Sequence, residues 1–153
     1  MFVQTHIDNF AEIKTPRLLL KPRTRRDQVE IDRILENPRV ASQLGHFLGH
    51  PPLLEISVRS LETYDLIGGV DIKDGYLSYF IDPVYWGRGF GFEAASSACE
   101  YWTARLNIRN LGAEVLASNI ASRRILKRIG FSFLSVDKGT GKCDRICFYE
   151  LRR

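Results

Sequence analysis

The chain has 153 residues, of which 44% are hydrophobic and 26% charged, an ordinary globular mixture that excludes a disordered, fibrous or membrane-embedded class. A chain of this length buries enough surface to fold as one domain, residues 1–153, without disulfide or metal staples. The 22 Lys and Arg against 18 Asp and Glu leave +4, which suits a phosphate-bearing partner without separating a nucleic acid from a small nucleotide.

Three cysteines, Cys99, Cys143 and Cys147, are odd in number and not at zinc-site spacing. They read as buried thiols of a reducing cytoplasm, and no metal is expected. The opening MFVQTHIDNF lacks the basic and apolar regions of a secretory leader, and no apolar run approaches the ~18 residues of a membrane span. The expectation is a soluble cytoplasmic protein with no membrane partner.

In chain order, Arg17 to Arg23 carries three leucines between two prolines and reads as a first strand. In TRRDQVEIDRILENP, Val29, Ile31, Ile34 and Leu35 stand at helical spacing, with Pro38 as a stop, predicting a short amphipathic helix. The following VASQLGHFLGHPP is too short and too broken by Gly and Pro for a good helix. LLEISVRSLE and DLIGGVDI are strands joined by a tight turn at Thr63-Tyr64. Asp74-Gly75, a strong hairpin signal, passes the chain to a strand in YLSYFID that ends at Pro83. A helix from Phe92 to Leu106 has Ala95, Ala98, Cys99 and Trp102 on one side. NLGAEVLA is a strand, Ala121 to Ile129 a helix closed by Gly130, and GFSFLSV and CDRICFYEL a hairpin around Gly139 and Gly141. The order β-α-β-β-β-α-β-α-β-β predicts an α/β (α+β) fold with a mixed sheet of about seven strands and helices on both faces.

The stretch between the Pro83 strand and the next helix carries the chemistry. Arg88-Gly89-Phe90-Gly91-Phe92 matches the first five positions of an RNA-recognition signature, which needs a central strand whose aromatics stack on bases. Against that, Glu93 and Ala95 stand where an aliphatic and an aromatic residue belong, and the alanine-rich EAASSACEYW that follows favours helix. Read as a helix end, each letter has a reason. Gly87, Gly89 and Gly91 permit positive φ and remove Cβ atoms, so successive amides can converge on one anion. The helix adds unpaired amides and the positive end of its dipole, and Arg88 adds charge at the rim. A phosphate at a helix N-terminus is therefore expected, with no nucleic-acid partner.

YFIDPVYWGRGFGFEA resembles the acetyl-CoA-binding motif of the GNAT superfamily of N-acetyltransferases, specifically the Rim-type branch that acetylates ribosomal-protein N-termini and related amines. Gly89 and Gly91 fall on the family pattern Q/R-x-x-G-x-G/A, while Trp86 replaces its Gln or Arg. NIASRRILKRIGF, Asn119 to Phe131, resembles the family's second block, and TPRLLLKPRT and LIGGVDI resemble its first and third strands. The resemblance implies a sheet splayed into a V between the fourth and fifth strands, which end near Pro83 and Ala117. The pantetheine arm of acetyl-CoA would lie in the gap on backbone around Ile81, Asp82 and Val84, with the pyrophosphate on the amides of Arg88, Gly89, Phe90, Gly91 and Phe92. Asn119 and Ser122 would flank the arm, and Arg123, Arg124 and Lys127 are candidates for the adenosine-side phosphates, each equally a solvated helix face.

What the resemblance implies chemically is direct acetyl transfer, in a ternary complex, to a primary amine of a protein N-terminus or small molecule. Many relatives carry a tyrosine acid where this chain, like Rim-type sequences, has Leu126. Ser122 is the candidate for hydrogen-bonding the leaving thiolate, and equally for capping the helix. For the base, Glu62, Asp71, Asp82, Asp137, Asp144, His46 and His50 are all conceivable and nothing local selects one. Trp86 and Trp102 read as core residues. The missing second helix before Leu54 implies an acceptor side that is open, or completed by a second subunit in a homodimer. The alternative is a non-catalytic sensor or scaffold that binds acyl-CoA without turnover.

Overall fold

The computed structural model describes residue 10 and residues 12–44, 54–137 and 145–153. Eight strands, β1 (Ile13–Lys14), β2 (Leu18–Pro22), β3 (Leu54–Ser60), β4 (Leu66–Lys73), β5 (Tyr76–Ile81), β6 (Asn110–Leu116), β7 (Ser132–Val136) and β8 (Ile146–Arg152), form one sheet in the order β1-β2-β3-β4-β5-β6-β8-β7. All neighbours run antiparallel except β5 and β6, which are parallel. This is the mixed, mostly antiparallel sheet expected, with one strand more, because the two-residue β1 is too short to carry a pattern.

β5 and β6 share a single register pair, Tyr76 with Gly112, where Gly112 N donates to Gly75 O at 2.8 Å. Beyond that joint the strands part, so the expected V lies between β5 and β6. Two local features set its apex. Asp74 and Gly75 both have positive φ, 49° and 80°, the geometry of a two-residue hairpin turn. The Tyr76 ring lies over Gly112, where a Cβ would fall 2.6 Å from it.

Among the described residues four α-helices cover the sheet: α1 (Gln28–Glu36), α2 (Pro38–Leu44), α3 (Phe90–Arg105) and α4 (Ile120–Ile129). Ile31, Ile34 and Val40 of α1 and α2 pack on Leu66 and Phe80 on one face. Ala94, Ala95, Ala98, Cys99 and Trp102 of α3 join Leu126 of α4 in the larger core on the other. Small alanines let α3 approach the strands closely.

Several expectations are corrected. Pro38 does not only end the first helix; it opens α2, because a proline at the first helical position gives up an amide that has no partner there anyway. Asn37 before it is extended (φ −60°, ψ 121°), as a pre-proline residue prefers, and its Oδ1 accepts from Arg39 N at 3.0 Å. A helix therefore does stand between the first helix and Leu54, where none was expected, while His46 and His50 lie outside the described residues. Val29, read as apolar face, is exposed. The turn between β3 and β4 is longer than a two-residue link and uses Tyr64 at φ 62°. α3 begins at Phe90, two residues earlier than expected. Gly130, at φ 113°, donates to Leu126 O and Lys127 O and closes α4 as foreseen. Cys99 and Cys147 are free and buried. Cys143, Gly139, Gly141 and Asp144 lie outside the described residues, among which no helix is long and apolar enough to cross a membrane.

Candidate active site in the gap between β5 and β6

The open edge of β5 forms one wall. Asp82 N donates to Ile67 O at 2.8 Å, and residues of a strand alternate sides, so Phe80 and Asp82 turn their backbone groups to β4 while Tyr79 and Ile81 turn theirs to the gap. Trp86 Nε1 donates to Ile81 O at 2.7 Å, leaving the Ile81 amide and the Tyr79 amide and carbonyl facing the gap. Trp86 packs against the α1 and α2 cluster with Arg39 over its ring at 4.7 Å, the core anchoring expected of it. Trp102 is fully buried in α3.

Asp82 has a different task from the one expected. Its Oδ2 accepts from Arg33 Nη2 at 2.8 Å and its Oδ1 from Val84 N at 3.2 Å, capping the 3₁₀ turn Pro83–Tyr85. Its backbone is engaged as well, the amide with Ile67 O at 2.8 Å and the carbonyl with Tyr85 N at 2.9 Å, so neither the carboxylate nor the main chain of Asp82 faces the gap. Val84, its amide engaged, has an exposed side chain outside the gap.

Beyond this turn, Gly87 (φ 75°) and Gly89 (φ 82°) adopt the left-handed conformation that glycine permits. Gly89 caps α3, so the amides of Phe90, Gly91 and Phe92 open the helix before any has a partner one turn back. Glu93 N is the first to close, onto Gly89 O at 3.1 Å. Gly91 is helical and not at positive φ; it allows a close approach, a Cβ there falling 3.3 Å from Ile125 Cδ1. Phe90 and Phe92 pack against the core instead of presenting their rings on a strand, which overturns the RNA-recognition reading. Arg88 is exposed, its guanidinium 5.7 Å from the Tyr85 ring.

A brace behind the turn is invisible in the sequence. Arg17 donates through Nε to Glu93 Oε2 at 2.7 Å and through Nη1 to Arg88 O at 2.8 Å, and its guanidinium covers the Phe90 ring at 4.4 Å. Thr15 Oγ1 donates to Glu93 Oε1 at 2.6 Å. Burial works against the charge on Glu93, but these bonds outweigh it and hold its carboxyl below the usual range.

The other wall is the start of α4. Asn119 is the helix cap, its Oδ1 accepting from Ser122 N at 3.1 Å, so the capping role considered for Ser122 belongs to Asn119. Ser122 Oγ lies 2.6 Å from Tyr79 Oη. Arg123 turns away from the gap: Nε donates to Tyr149 Oη at 3.1 Å and Nη1 to Ala117 O at 3.0 Å, tying α4 to β8. Arg124 and Arg128 line the gap in its place, Arg128 over the Phe92 ring at 3.9 Å; Lys127 is exposed outside it. Together these walls bound a cavity of about 570 Å³ that runs from the glycine turn to Val40, Gln43 and Leu44 of α2.

A family model described as the acetyltransferase (GNAT) domain matches residues 54–132, just over half of the chain and spanning both walls of the gap. The chain belongs to the GNAT acetyltransferases. A curated relative, the uncharacterized N-acetyltransferase YoaA of Bacillus subtilis, is 25% identical over 149 residues, covering 80% of this chain and 83% of that protein. Among solved structures, a ribosomal-protein-S5-alanine acetyltransferase from Vibrio fischeri superimposes with a TM-score of 0.75 at 14% identity, over 93% of this chain and 96% of that one. A spermidine N-acetyltransferase from Vibrio cholerae, in complex with CoA and spermine, does so with 0.78 at 16% identity, over 90% and 96%.

This GNAT enzyme is an acetyl-CoA-dependent acetyltransferase, and the gap-side amides of Tyr79 and Ile81 with the amides opening α3 fit a thioester arm and its diphosphate. Among the described residues Glu114 is the one carboxylate lining the cavity. It escaped the sequence reading, although a signal existed: Leu111, Ala113 and Val115 alternate into the core, which puts Glu114 on the opposite face of a strand bordering the gap. The carboxylates considered earlier stand elsewhere. Glu62 lies in the exposed turn after β3, and Asp137 closes the β7–β8 hairpin by accepting from Ile146 N at 2.9 Å. Asp71 pairs with Arg23 at 2.7 Å, burial pushing it up to about 6 against the pull of that guanidinium. No three His, Cys, Asp or Glu among the described residues are grouped to hold a metal.

Proposed function

We propose that this acetyltransferase moves the acetyl group of acetyl-CoA directly onto a primary amine of a protein N-terminus or small molecule, with Glu114 as the base. The observation that carries the proposal is the position of Glu114, facing the cavity between the glycine turn and α2. An amine is nucleophilic only when neutral, and a carboxylate within reach, directly or through one water, can take its proton as the new bond forms.

The residues divide the work. The amides of Tyr79 and Ile81 hold the pantetheine arm, and the Ile81 amide is a donor for the oxyanion of the tetrahedral intermediate. The amides of Arg88, Gly89, Phe90, Gly91 and Phe92 hold the diphosphate, with Arg124 and Arg128 beside it. Ser122 hydrogen-bonds the departing thiolate. On the acceptor side Val40, Leu44, Phe80 and Trp86 form an apolar wall with Gln43 its polar member, which suits an amine carried on a small or apolar group. The two Vibrio proteins act on a polypeptide alanine and on spermidine by their names, so both acceptor classes belong in the test.

Thiol release from acetyl-CoA, followed with peptides of varied N-terminal residue and with polyamines, identifies the acceptor. With that acceptor, Glu114→Gln is expected to lower kcat/KM by about a hundredfold or more while acetyl-CoA binds as before. An undiminished rate removes Glu114 from the mechanism. Intact acetyl-CoA binding with silence toward every amine favours the sensor or scaffold reading.

A further inference from the structure

Tyr79 and Ser122 meet across the gap. Tyr79 leaves β5 on the face covered by α3 and α4, and its hydroxyl reaches to 2.6 Å from Ser122 Oγ in the first turn of α4. Both residues line the cavity. The helix needs nothing from the serine side chain, because Asn119 already holds the Ser122 amide. The phenol ring is held in place: a Cβ on Gly91 would lie 3.8 Å from Tyr79 Cε2 and 3.3 Å from Ile125 Cδ1, so α3 and α4 close around it. A phenol is a stronger acid than an alkyl alcohol, so in this pair the tyrosine is the better donor and the serine oxygen the better acceptor. With Tyr79 donating, the Ser122 proton is left free for a sulfur in the cavity that both residues line.

We infer that Tyr79 is a positioning residue, donating to Ser122 Oγ and thereby presenting the Ser122 proton to the sulfur that leaves on acetyl transfer. The inference rests on the direct-attack reading above. In that step a C–N bond forms between the amine and the acetyl carbon while the C–S bond breaks, and sulfur departs with the bonding pair. The amine's proton passes to Glu114. The thiolate accepts a hydrogen bond from Ser122 and takes its proton from water on release. Tyr79 keeps its own proton throughout, since burial pushes its phenol well above the ordinary tyrosine range; it supplies direction, not acid.

The test reads the sulfur itself. CoA bound to the full chain is titrated through the ultraviolet absorbance of its thiolate. A hydroxyl aimed at the sulfur favours the anion, so the bound thiol is expected to titrate below free CoA. Tyr79→Phe, which keeps the ring, is expected to raise that titration by about one unit, a tenfold loss of thiolate at fixed pH. Ser122→Ala is expected to do the same, and the double variant no more than either alone, as for groups acting as a unit. With an amine acceptor, Tyr79→Phe is expected to lower kcat on the order of tenfold, with KM for acetyl-CoA within about twofold. A merely structural tyrosine would leave the sulfur titration where it was. Coincident titrations of the wild type and Tyr79→Phe, both folded by their melting curves, overturn the inference whatever the amine rates. A shifted titration together with full activity in Glu114→Gln removes Glu114 as the base and leaves the hydroxyl pair standing.

Discussion

Glu93 and Asp71 respond to acid in opposite senses. Burial disfavours the charge on Glu93, but its bonds from Thr15 and Arg17 prevail and depress its folded pKa. Its contribution to stability is therefore present above the ordinary carboxylate value of about 4 and fades as pH falls through the depressed one. Asp71 is raised to about 6 by burial, opposed by Arg23. A raised acid contributes stability that is present below the unfolded value of about 4 and lost as pH rises through the folded one. Asn mimics the protonated side chain, so the melting temperature of Asp71→Asn is expected to gain on the wild type between about pH 4 and neutrality. A difference that stays constant or shrinks over that range would contradict the assignment.

At the scale of elements, the phosphate turn depends on a strand edge far away in the chain. Gly87 and Gly89 give the turn its shape but also its freedom, and Arg17 removes that freedom by gripping Arg88 O and Glu93 together. The Arg17 side chain is 46% exposed, so its ion pair contributes at most about 1 kcal/mol to folding after solvent screening. Arg17→Ala is accordingly expected to melt within a few degrees of the wild type yet to bind acetyl-CoA about tenfold more weakly, because the amides must be ordered on binding. Unchanged affinity would show that the turn is rigid without its brace. The same scale explains the misreading of α2. Pro38 both stops one helix and starts the next, and a proline read only as a breaker conceals the second role.

Across the whole molecule, the legible parts were those written into neighbouring residues. Asp74-Gly75, the alternation of β6, the alanine face of α3 and the Gly130 cap each specify their geometry within a few positions, so the succession of elements and the glycine turn followed from the sequence. Glu114 and Tyr79 acquire meaning only because β5 and β6 share one register pair and then separate, exposing both to the same cavity. Arg17 and Glu93 are 76 positions apart, and no local pattern joins them. Asp82 and Arg123 looked like site residues by position but are held by Arg33 and Val84, and by Tyr149 and Ala117. The central claim is that the bare amides opening α3 hold the diphosphate of acetyl-CoA in this gap. A calorimetric titration of Gly91→Trp with acetyl-CoA, beside the wild type and after a melting curve has established that the variant is folded, tests it most directly. A side chain at position 91 starts toward Ile125, Ile81 and Tyr79, at 3.3 to 3.8 Å from its Cβ, so an indole there would fill the gap beside those amides, and the expected result is loss of measurable binding. A folded variant that binds acetyl-CoA as tightly as the wild type would contradict the account.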